Sequence, residues 1–200
     1  PDHMDRYTDL SEYHAAKQRI FQGCKHAVIN LDDALTRPLL PTAVKLTGFT
    51  MGTPALNHYG ICQYQGQAWL ALGHKHLLPV SDIAMLGQHN IANALAALAL
   101  GTAAGLPLSP MLDCLRSFTG LAHRCQKVRV LHKVTYINDS KGTNVGATLA
   151  AINGLMQGLS GKVVLIAGGD GKGANFSPLG RAMASWGRAA VLIGRDGPRL

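Results

Sequence analysis

The first ninety residues alternate between helical and β-type spacing of their apolar positions. Residues 8–22 have helical spacing, and residues 25–30 contain a short apolar run that is typical of a strand. From 44 to 83, short β-type runs are separated by Gly, Pro and Asn. This pattern predicts several hairpins, with 67–72 as the clearest strand.

Two helices and a hinge are predicted next. Residues 90–105 have a strong helical pattern that ends at Gly105-Leu106-Pro107. A second helix is predicted from Ser109, as its cap, to Ser117. The segment Phe118-Thr119-Gly120 then predicts a hinge, because the pattern changes after it.

Beyond the hinge the sequence alternates strands with helices. An Ala-rich helix is predicted over 145–156, and the β-type runs are 128–131, 134–137, 162–167 and 189–193. Such alternation favours a parallel sheet of βαβ units. The sequence therefore predicts an α/β protein with domains at 1–120 and 121–200.

Composition narrows the classes of function. Hydrophobic residues make up 47% of the chain and charged residues 15%, which predicts a folded core rather than disorder. The net charge of +8 and the isoelectric point near 9.6 suit anionic ligands. Basic residues are dispersed and aromatic residues are scarce, so phosphorylated small molecules are favoured over nucleic acid.

Cysteine spacing and hydropathy predict a cytoplasmic protein with no membrane association. The four cysteines show no Cys-x-x-Cys spacing, which argues against zinc and thioredoxin-type chemistry. The longest apolar stretch, 94–108, is too short to cross a bilayer, and no signal-peptide pattern is present. The chain opens with Pro1-Asp2-His3 rather than Met, so we expect an interior piece of a longer protein.

The turn between the strand at 134–137 and the helix at 145–156 is rich in polar groups. It carries Asp139, Ser140, Lys141 and Thr143. Such turns lie where open α/β sheets bind ligands, and the helix N-terminus attracts anions. One oxygen-bearing side chain could simply cap the helix. Capping does not explain Lys141, because a cation in the first helical turn opposes the helix dipole.

Two further motifs offer polar groups to a ligand. Asn90 and Asn93 share a face at the start of a predicted helix, where one of them is expected to be the cap. Arg124 follows His123 just after the hinge, and its guanidinium fork suits phosphate, although it could also be a surface arginine. The glycine-rich segment 168–173 is not a P-loop, because Gly173 stands where Ser or Thr is required.

Six ordered segments resemble the Mur ligase family. They are Asp2-His3-Met4-Asp5-Arg6-Tyr7, Ala15-Ala16-Lys17, Gly87-Gln88-His89-Asn90-Ile91-Ala92-Asn93, Phe118-Thr119-Gly120-Leu121-Ala122-His123-Arg124, Asn138-Asp139-Ser140-Lys141-Gly142-Thr143-Asn144 and Gly168-Gly169-Asp170-Gly171-Lys172. The segment at 138–144 is similar to that of members that add D-glutamate to UDP-N-acetylmuramoyl-L-alanine.

The resemblance implies a fold and a reaction. Residues 1–120 would be the later part of a central ATPase domain, and 121–200 the first part of a Rossmann-like C-terminal domain. The implied reaction is ATP-dependent amide formation through an acyl phosphate, in peptidoglycan synthesis, by a cytoplasmic monomer with ATP and Mg²⁺. We expect these 200 residues alone to be inactive, because they lack the family's P-loop.

The resemblance also implies residue roles. His3 and Lys17, the latter as a carbamate, are implied at the magnesium site and, with Lys141, in catalysis. The residues implied in ATP binding are Asn90, Asn93, Arg124 and Asp139. Thr143 and Lys172 are implied in binding D-glutamate.

One departure and two alternatives accompany this reading. Gln126 stands where many members have Glu, so we expect the ionic partner of a nearby base to be missing. Another amide ligase of the same superfamily, such as a folylpolyglutamate synthase, is disfavoured by the Asp-Ser-Lys turn. A basic nucleic-acid-binding protein is the alternative from a different class.

Overall fold

The computed structural model describes residues 6–85, 87–157, 160–171 and 173–200. These residues divide into two compact units. The first holds the described residues up to Met85 together with Asn90–Phe118, and the second holds those of 86–89 together with Thr119–Leu200. The assignment of the two units to an ATPase domain and a Rossmann-like domain stays a prediction.

The first unit, in its described residues, combines a five-stranded sheet with helices. The strands are β1 (His26–Asn30), β2 (Lys45–Phe49), β3 (Tyr59–Tyr64), β4 (Gln67–Leu72) and β5 (Lys75–Pro79). Helix α1 (Leu10–Gln18) precedes them, and α2 (Gln88–Ala103) and α3 (Leu108–Ser117) follow. The strand order follows the sequence, with β1, β2 and β3 parallel and β4 and β5 antiparallel to their neighbours.

Turn chemistry fixes the hairpin of β3 and β4. The two residues between the strands, Gln65 and Gly66, both have positive φ, 51° and 74°. Two consecutive residues of positive φ form the turn whose twist matches that of the flanking strands. Tyr64 pairs with Gln67 directly across it, and the register then continues to Tyr59 and Leu72.

The core of the first unit forms where α2 packs on the sheet. Leu95 and Leu98 of α2 are fully buried in the same cluster as Leu70 and Leu78. Burying a leucine stabilises a fold by about 1.5–3 kcal/mol. Tyr59 is also buried, and its hydroxyl is satisfied by the Thr102 hydroxyl at 2.6 Å.

Three helices of the first unit differ in their bounds from the prediction, and the one predicted over 90–105 covers Gln88–Ala103. The α-helix predicted over 8–22 covers Leu10–Gln18 and then tightens into a 3₁₀ turn at Arg19–Phe21. The second helix begins at Leu108 with Pro107 at the cap position, so the prediction of Ser109 as the cap was wrong. A proline is well suited to a helix start because it has no N–H to satisfy there.

The second unit contains β6 (Gln126–Leu131), β7 (Val134–Asn138), α4 (Val145–Met156), β8 (Val163–Gly168), α5 (Ser177–Trp186) and β9 (Gly187–Ile193). The predicted parallel pairing was wrong for β6 and β7, which form an antiparallel hairpin. Only two residues separate these strands, too few for the crossover that a parallel pair requires.

The segment from β8 to β9 is a βαβ unit, as predicted. The two strands are parallel and are joined through α5. At the end of β8, Gly168 has a φ of 153°, and a side chain there would overlap the carbonyl oxygen of Ile193. Glycine is therefore required where β8 runs into the glycine-rich segment.

Candidate ligand-binding site

The hairpin of β6 and β7 places two loops side by side. Gln126, at the start of β6, pairs with Asn138 at the end of β7. We call residues 121–125 the His-Arg loop and residues 139–144 the Asp-Ser-Lys loop. Antiparallel pairing thus puts four of the residues expected at the site into adjacent loops: Arg124, Asp139, Lys141 and Thr143.

Two hydrogen bonds join the loops. The Cys125 N–H donates to the Asp139 carboxylate at 2.9 Å, and the Lys141 N–H donates to the His123 carbonyl at 3.1 Å. Cys125 and His123 have positive φ, 46° and 66°. That conformation costs a non-glycine residue about 1–2 kcal/mol. The contacts from Asp139 and Lys141 therefore stabilise a strained His-Arg loop.

Two amide side chains add further contacts to His123. The Asn138 amide contacts the His123 imidazole, with Nδ2 at 2.9 Å from Nδ1, and its Oδ1 accepts the Ser140 N–H at 3.1 Å. Gln126 Oε1 accepts the His123 N–H at 3.1 Å. A glutamate at 126 would offer the same kind of acceptor, so this contact does not depend on the departure noted in the sequence. Sequence reasoning missed Asn138; a two-residue hairpin turn at 132–133 would have pointed to it.

The Asp-Ser-Lys loop is also tied to itself. The Gly142 N–H donates to the Asp139 carbonyl at 2.8 Å, and the Thr143 N–H donates to the Lys141 carbonyl at 3.0 Å. A Cβ on Gly142 would lie 2.6 Å from Asp139 Oδ2 and 3.1 Å from the Asp139 carbonyl oxygen, so a larger residue at this position would require the Asp139 side chain to shift.

The helix cap is Asn144, whose side chain accepts the Ala147 N–H at 2.9 Å. Capping by Asp139, Ser140 or Thr143 was therefore a wrong alternative. Lys141 lies three residues before the cap, outside the helix, so the dipole argument did not apply to it. The cap side chain accepts the N–H of the third helical residue, which is the usual bond of a residue directly before a helix.

The charges of these two loops favour the binding of an anionic ligand. The side chains of Arg124 and Lys141 are exposed, and the positive end of α4 follows the Asp-Ser-Lys loop. The negative charge of Asp139 is turned toward the backbone of Cys125. The arrangement leaves two cations and a helix N-terminus to contact a phosphate or carboxylate.

Burial changes two titrating groups of the second unit. It raises the pKa of the Cys125 thiol to about 11, and the neighbouring Asp139 carboxylate adds to the effect. Burial also lowers the pKa of His89, and the negative charge of Asp139 offsets this only in part. His89 is therefore neutral and Cys125 is a thiol near neutral pH.

Asn90 and Asn93 lie in the first unit, one turn apart on α2. The Asn93 amide donates to Asn90 Oδ1 at 3.2 Å. Because α2 begins at Gln88, Asn90 is a helical residue, and the prediction of it as a cap was wrong. The side chain of Asn93 is exposed, which leaves it open to a ligand.

Lys17 is an exposed residue in the last turn of α1. Its Nζ lies 5.2 Å from the centre of the Tyr13 ring, a contact that attracts a charged ammonium. His3, the other residue predicted at the magnesium site, lies outside the described residues.

The glycine-rich segment after β8 is fastened by a residue that sequence reasoning missed. The Gly171 N–H donates to Asp196 Oδ2 at 2.7 Å, and the Asp196 N–H donates to the Gly169 carbonyl at 3.0 Å. The hydrogen bond from Gly171 lowers the pKa of Asp196, burial opposes this, and the Arg199 guanidinium adds to the lowering. Lys172 lies outside the described residues.

Comparison with known protein families shows which family the chain belongs to. Residues 1–101 match the Mur ligase middle domain. That match takes in half of the chain. The chain belongs to the Mur ligase family. The predicted family and the α/β fold class are thereby confirmed.

Relatives within the Mur ligase family extend the similarity over both units. The chain is 52% identical over 199 residues to a UDP-N-acetylmuramoylalanine–D-glutamate ligase of Hahella chejuensis, covering all of the chain and 45% of that protein. It is 53% identical over 195 residues to the Pseudomonas aeruginosa protein of the same name, covering 98% of the chain and 44% of that protein. The chain thus spans less than half the length of these relatives.

Solved structures of other Mur ligases share the fold. MurF from Acinetobacter baumannii aligns with a TM-score of 0.68 at 21% identity, over 96% of this chain and 44% of that one. UDP-N-acetylmuramate–alanine ligase MurC from Thermotoga maritima aligns with a TM-score of 0.60 at 18% identity, over 97% of this chain and 49% of that one. At these identities the likeness concerns the fold.

The described residues contain no metal-binding cluster of their own. Among them, no three His, Cys, Asp or Glu side chains are grouped so as to hold a metal ion. Lys17 faces a tyrosine ring instead.

No described helix is long and apolar enough to span a membrane. All four cysteines are free.

Proposed function

We propose that the protein containing this chain joins D-glutamate to UDP-N-acetylmuramoyl-L-alanine at the expense of ATP, in peptidoglycan synthesis. The observation that carries the proposal is the identity of 52–53% to two proteins named for this ligation. The two comparisons span nearly the whole chain, so the stretches compared take in both loops.

The reaction begins by activating a carboxylate. The carboxylate of UDP-N-acetylmuramoyl-L-alanine attacks the γ-phosphorus of ATP, ADP leaves, and an acyl phosphate forms. The amine of D-glutamate then attacks the acyl carbon, phosphate leaves, and the amine loses a proton as the amide forms. Both steps gather anions and place charge on oxygens, so fixed cations and N–H donors stabilise them.

Arg124 and Lys141 suit the phosphoryl group in this scheme. Both side chains are exposed, whereas the backbone of Lys141 is held by bonds to His123 and Thr143. A fixed backbone limits where each cation can reach, and such preorganisation is what lowers the barrier. Asp139 would serve the ATP site mainly by bracing the His-Arg loop.

The remaining roles are proposed as the family resemblance implies them. Asn90 and Asn93 would contact the nucleoside of ATP, because a carboxamide offers both a donor and an acceptor. Thr143 and Lys172 would bind D-glutamate. Magnesium at His3 and carbamylated Lys17 belongs to the same proposal, and no step above depends on it.

The same proposal covers the domain organisation, the cellular location and the partners of the complete protein. Residues 1–120 would belong to the central ATPase domain and 121–200 to the C-terminal domain of a cytoplasmic monomer without nucleic-acid or membrane partners. The 200 residues alone contain no Gly-x-x-x-x-Gly-Lys-Ser/Thr segment to hold the phosphates of ATP. They would therefore not turn ATP over.

Replacement of Lys141 in the complete protein tests the site. We expect Lys141→Ala to lower kcat by about 10²–10³-fold, the usual cost of removing one stabilising group from a developing anion. Lys127→Ala, an exposed lysine of β6, is the matched control and should retain activity. The measurement is phosphate release that depends on both UDP-N-acetylmuramoyl-L-alanine and D-glutamate.

Two results would contradict the proposal. Phosphate release that L-alanine or diaminopimelate supports better than D-glutamate would assign a different substrate. Equal activity of the Lys141 and Lys127 variants would remove Lys141 from the reacting centre.

A further inference from the structure

Asn138 makes contacts that neither the motifs nor the family comparison assigns. It is the last residue of β7 and is partly buried. Its two amide atoms face different partners: Oδ1 faces the Ser140 N–H at 3.1 Å, and Nδ2 faces His123 Nδ1 at 2.9 Å. One side chain thus links the start of the Asp-Ser-Lys loop to the imidazole of the His-Arg loop.

The direction of each hydrogen bond follows from what each group can do. A backbone N–H only donates, so the amide atom facing Ser140 must be the oxygen. The amide nitrogen therefore faces His123, and since it also only donates, Nδ1 of the imidazole must accept. The proton of a neutral ring then sits on Nε2. A proton on Nδ1 would instead place two donors face to face.

His123 is held on its backbone as well as its ring. Its N–H donates to Gln126 Oε1 and its carbonyl accepts from Lys141, while its φ is 66°. The side chain is nevertheless exposed to solvent. A strained residue held at three points, with an exposed ring, is the kind of position found at functional sites.

We infer that Asn138 is a positioning residue that fixes His123 as the Nε2–H tautomer, so that the ring offers a third donor beside Arg124 and Lys141 to the phosphoryl or acyl-phosphate oxygens. The inference rests on the proposed function for the identity of the anion. The tautomer itself does not depend on that function.

The first test reads the tautomer directly. In the complete protein labelled with ¹⁵N-histidine, the imidazole nitrogen shifts distinguish a nitrogen that carries hydrogen from one that does not. The loss of one signal pair in His123→Gln assigns the ring. We expect hydrogen on Nε2 in the parent protein. Hydrogen on Nδ1, or a mixture of both forms, would overturn the inference.

A polarity reversal tests the role of Asn138. Asn138→Asp keeps the acceptor for the Ser140 N–H but presents an oxygen to the ring, so the proton should move to Nδ1. We expect kcat to fall by about 10²-fold with a smaller change in KM, as for the loss of one donor to a developing anion. Asn30→Asp is the matched control, since Asn30 also ends a strand and accepts the N–H two residues on, from Asp32.

A second pair of variants covers the case in which Asn138→Asp does not fold. The amide nitrogen of Gln can replace Nε2 of histidine, whereas that of Asn replaces Nδ1. We expect His123→Gln to retain about 10-fold more of kcat than His123→Asn, because one suitably placed donor accounts for most of the effect. The reverse order would overturn the inference.

The outcomes separate the inference from the proposed function. A changed tautomer with unchanged kcat, or a loss of kcat with an unchanged tautomer, would show that Asn138 does not act through His123. An Nε2–H ring in a protein that does not ligate D-glutamate would refute the proposed function and leave the tautomer assignment standing.

Discussion

At the scale of single residues, Cys125 shows how the site uses burial. Only 7% of its surface is exposed, and its backbone N–H donates a hydrogen bond to the Asp139 carboxylate. Burial and the Asp139 charge both oppose the thiolate, which raises the thiol pKa from 9.0 to about 11. The residue next to Arg124 is therefore an uncharged packing group rather than a nucleophile.

The raised thiol pKa of Cys125 predicts the order in which the cysteines are alkylated. Because alkylation requires the thiolate, Cys125 should react with iodoacetamide much more slowly than the exposed Cys114 near neutral pH, and its rate should rise with pH toward about 11. Asp139→Asn removes the charge but keeps an acceptor for the Cys125 N–H, so it should speed the reaction. Mass spectrometry of each peptide gives the rates, and equal rates for the two cysteines would contradict the account.

At the scale of elements, the β6–β7 hairpin positions the site through an unfavourable turn. His132 and Lys133 have φ of 48° and 64°, whereas the equivalent second position of the β3–β4 turn is Gly66. A non-glycine residue of positive φ costs about 1–2 kcal/mol. The strand pairing that runs from Leu131–Val134 to Gln126–Asn138 offsets that cost, and its register places the two loops side by side.

One substitution can relieve the backbone strain of this turn. We expect Lys133→Gly to stabilise the complete protein by about 1 kcal/mol, because glycine adopts positive φ without steric cost. Gly66→Ala is the matched opposite change and should destabilise by a similar amount. Urea unfolding measures both, and a loss of stability in Lys133→Gly would show that the side chain makes contacts that outweigh the strain.

Asp196 links the ends of β8 and β9, and its charge makes that link depend on pH. Its pKa is lower in the folded than in the unfolded state, so the charge stabilises the fold above its ordinary carboxyl pKa, and this stabilisation is lost as pH falls through the lowered value. Asp196→Asn keeps an acceptor for the Gly171 N–H but removes the charge.

We therefore expect Asp196→Asn to lower the Tm near pH 7 and to match the parent once the pH has fallen below the lowered pKa of Asp196, where the parent carboxyl is protonated. Asp113→Asn is the control: Asp113 forms an exposed pair with Arg116, which contributes little. A Tm difference that persists unchanged in acid would mean that the charge of Asp196 is not what matters.

At the scale of the whole molecule, the second unit has an apolar sheet face. Along β8, exposed and partly buried side chains alternate, and the exposed set includes Val164 and Ile166, at 54% and 69%. In the parallel register Ile166 pairs with Val191, which is 49% exposed. Neighbouring apolar side chains on one sheet face are a site of association between chains.

We expect the 200-residue chain to self-associate and Ile166→Lys to reduce this, because the lysine charge interrupts the exposed face. Light scattering and binding of a hydrophobic dye would both decrease. Leu165→Lys is the comparison: Leu165 lies on the opposite, less exposed side of β8, so its replacement should unfold the unit. Unchanged scattering in Ile166→Lys would exclude this face as the cause.

Local patterns in the sequence were enough to predict several elements. The Ala-rich run at 145–156 and the apolar run at 67–72 coincide with α4 and β4, because helical or β-type spacing and turn residues act over a few neighbours. The family motif likewise named Arg124, Asp139, Lys141 and Thr143 as candidates, and their roles stay predictions. What the sequence by itself determined was this set of elements and chemical groups.

Only the tertiary structure decided how those groups meet. Cys125 and Asp139 are 14 positions apart, and His123 and Asn138 are 15 apart. Their contacts depend on an antiparallel register whose turn, His132-Lys133, lacks the Asn-Gly signal by which such hairpins are recognised. The helix cap was misassigned for a related reason: several oxygens stand close together in the loop, and only the backbone path selects Asn144. Long-range pairing and backbone conformation, not residue type, placed His123 against Asn138.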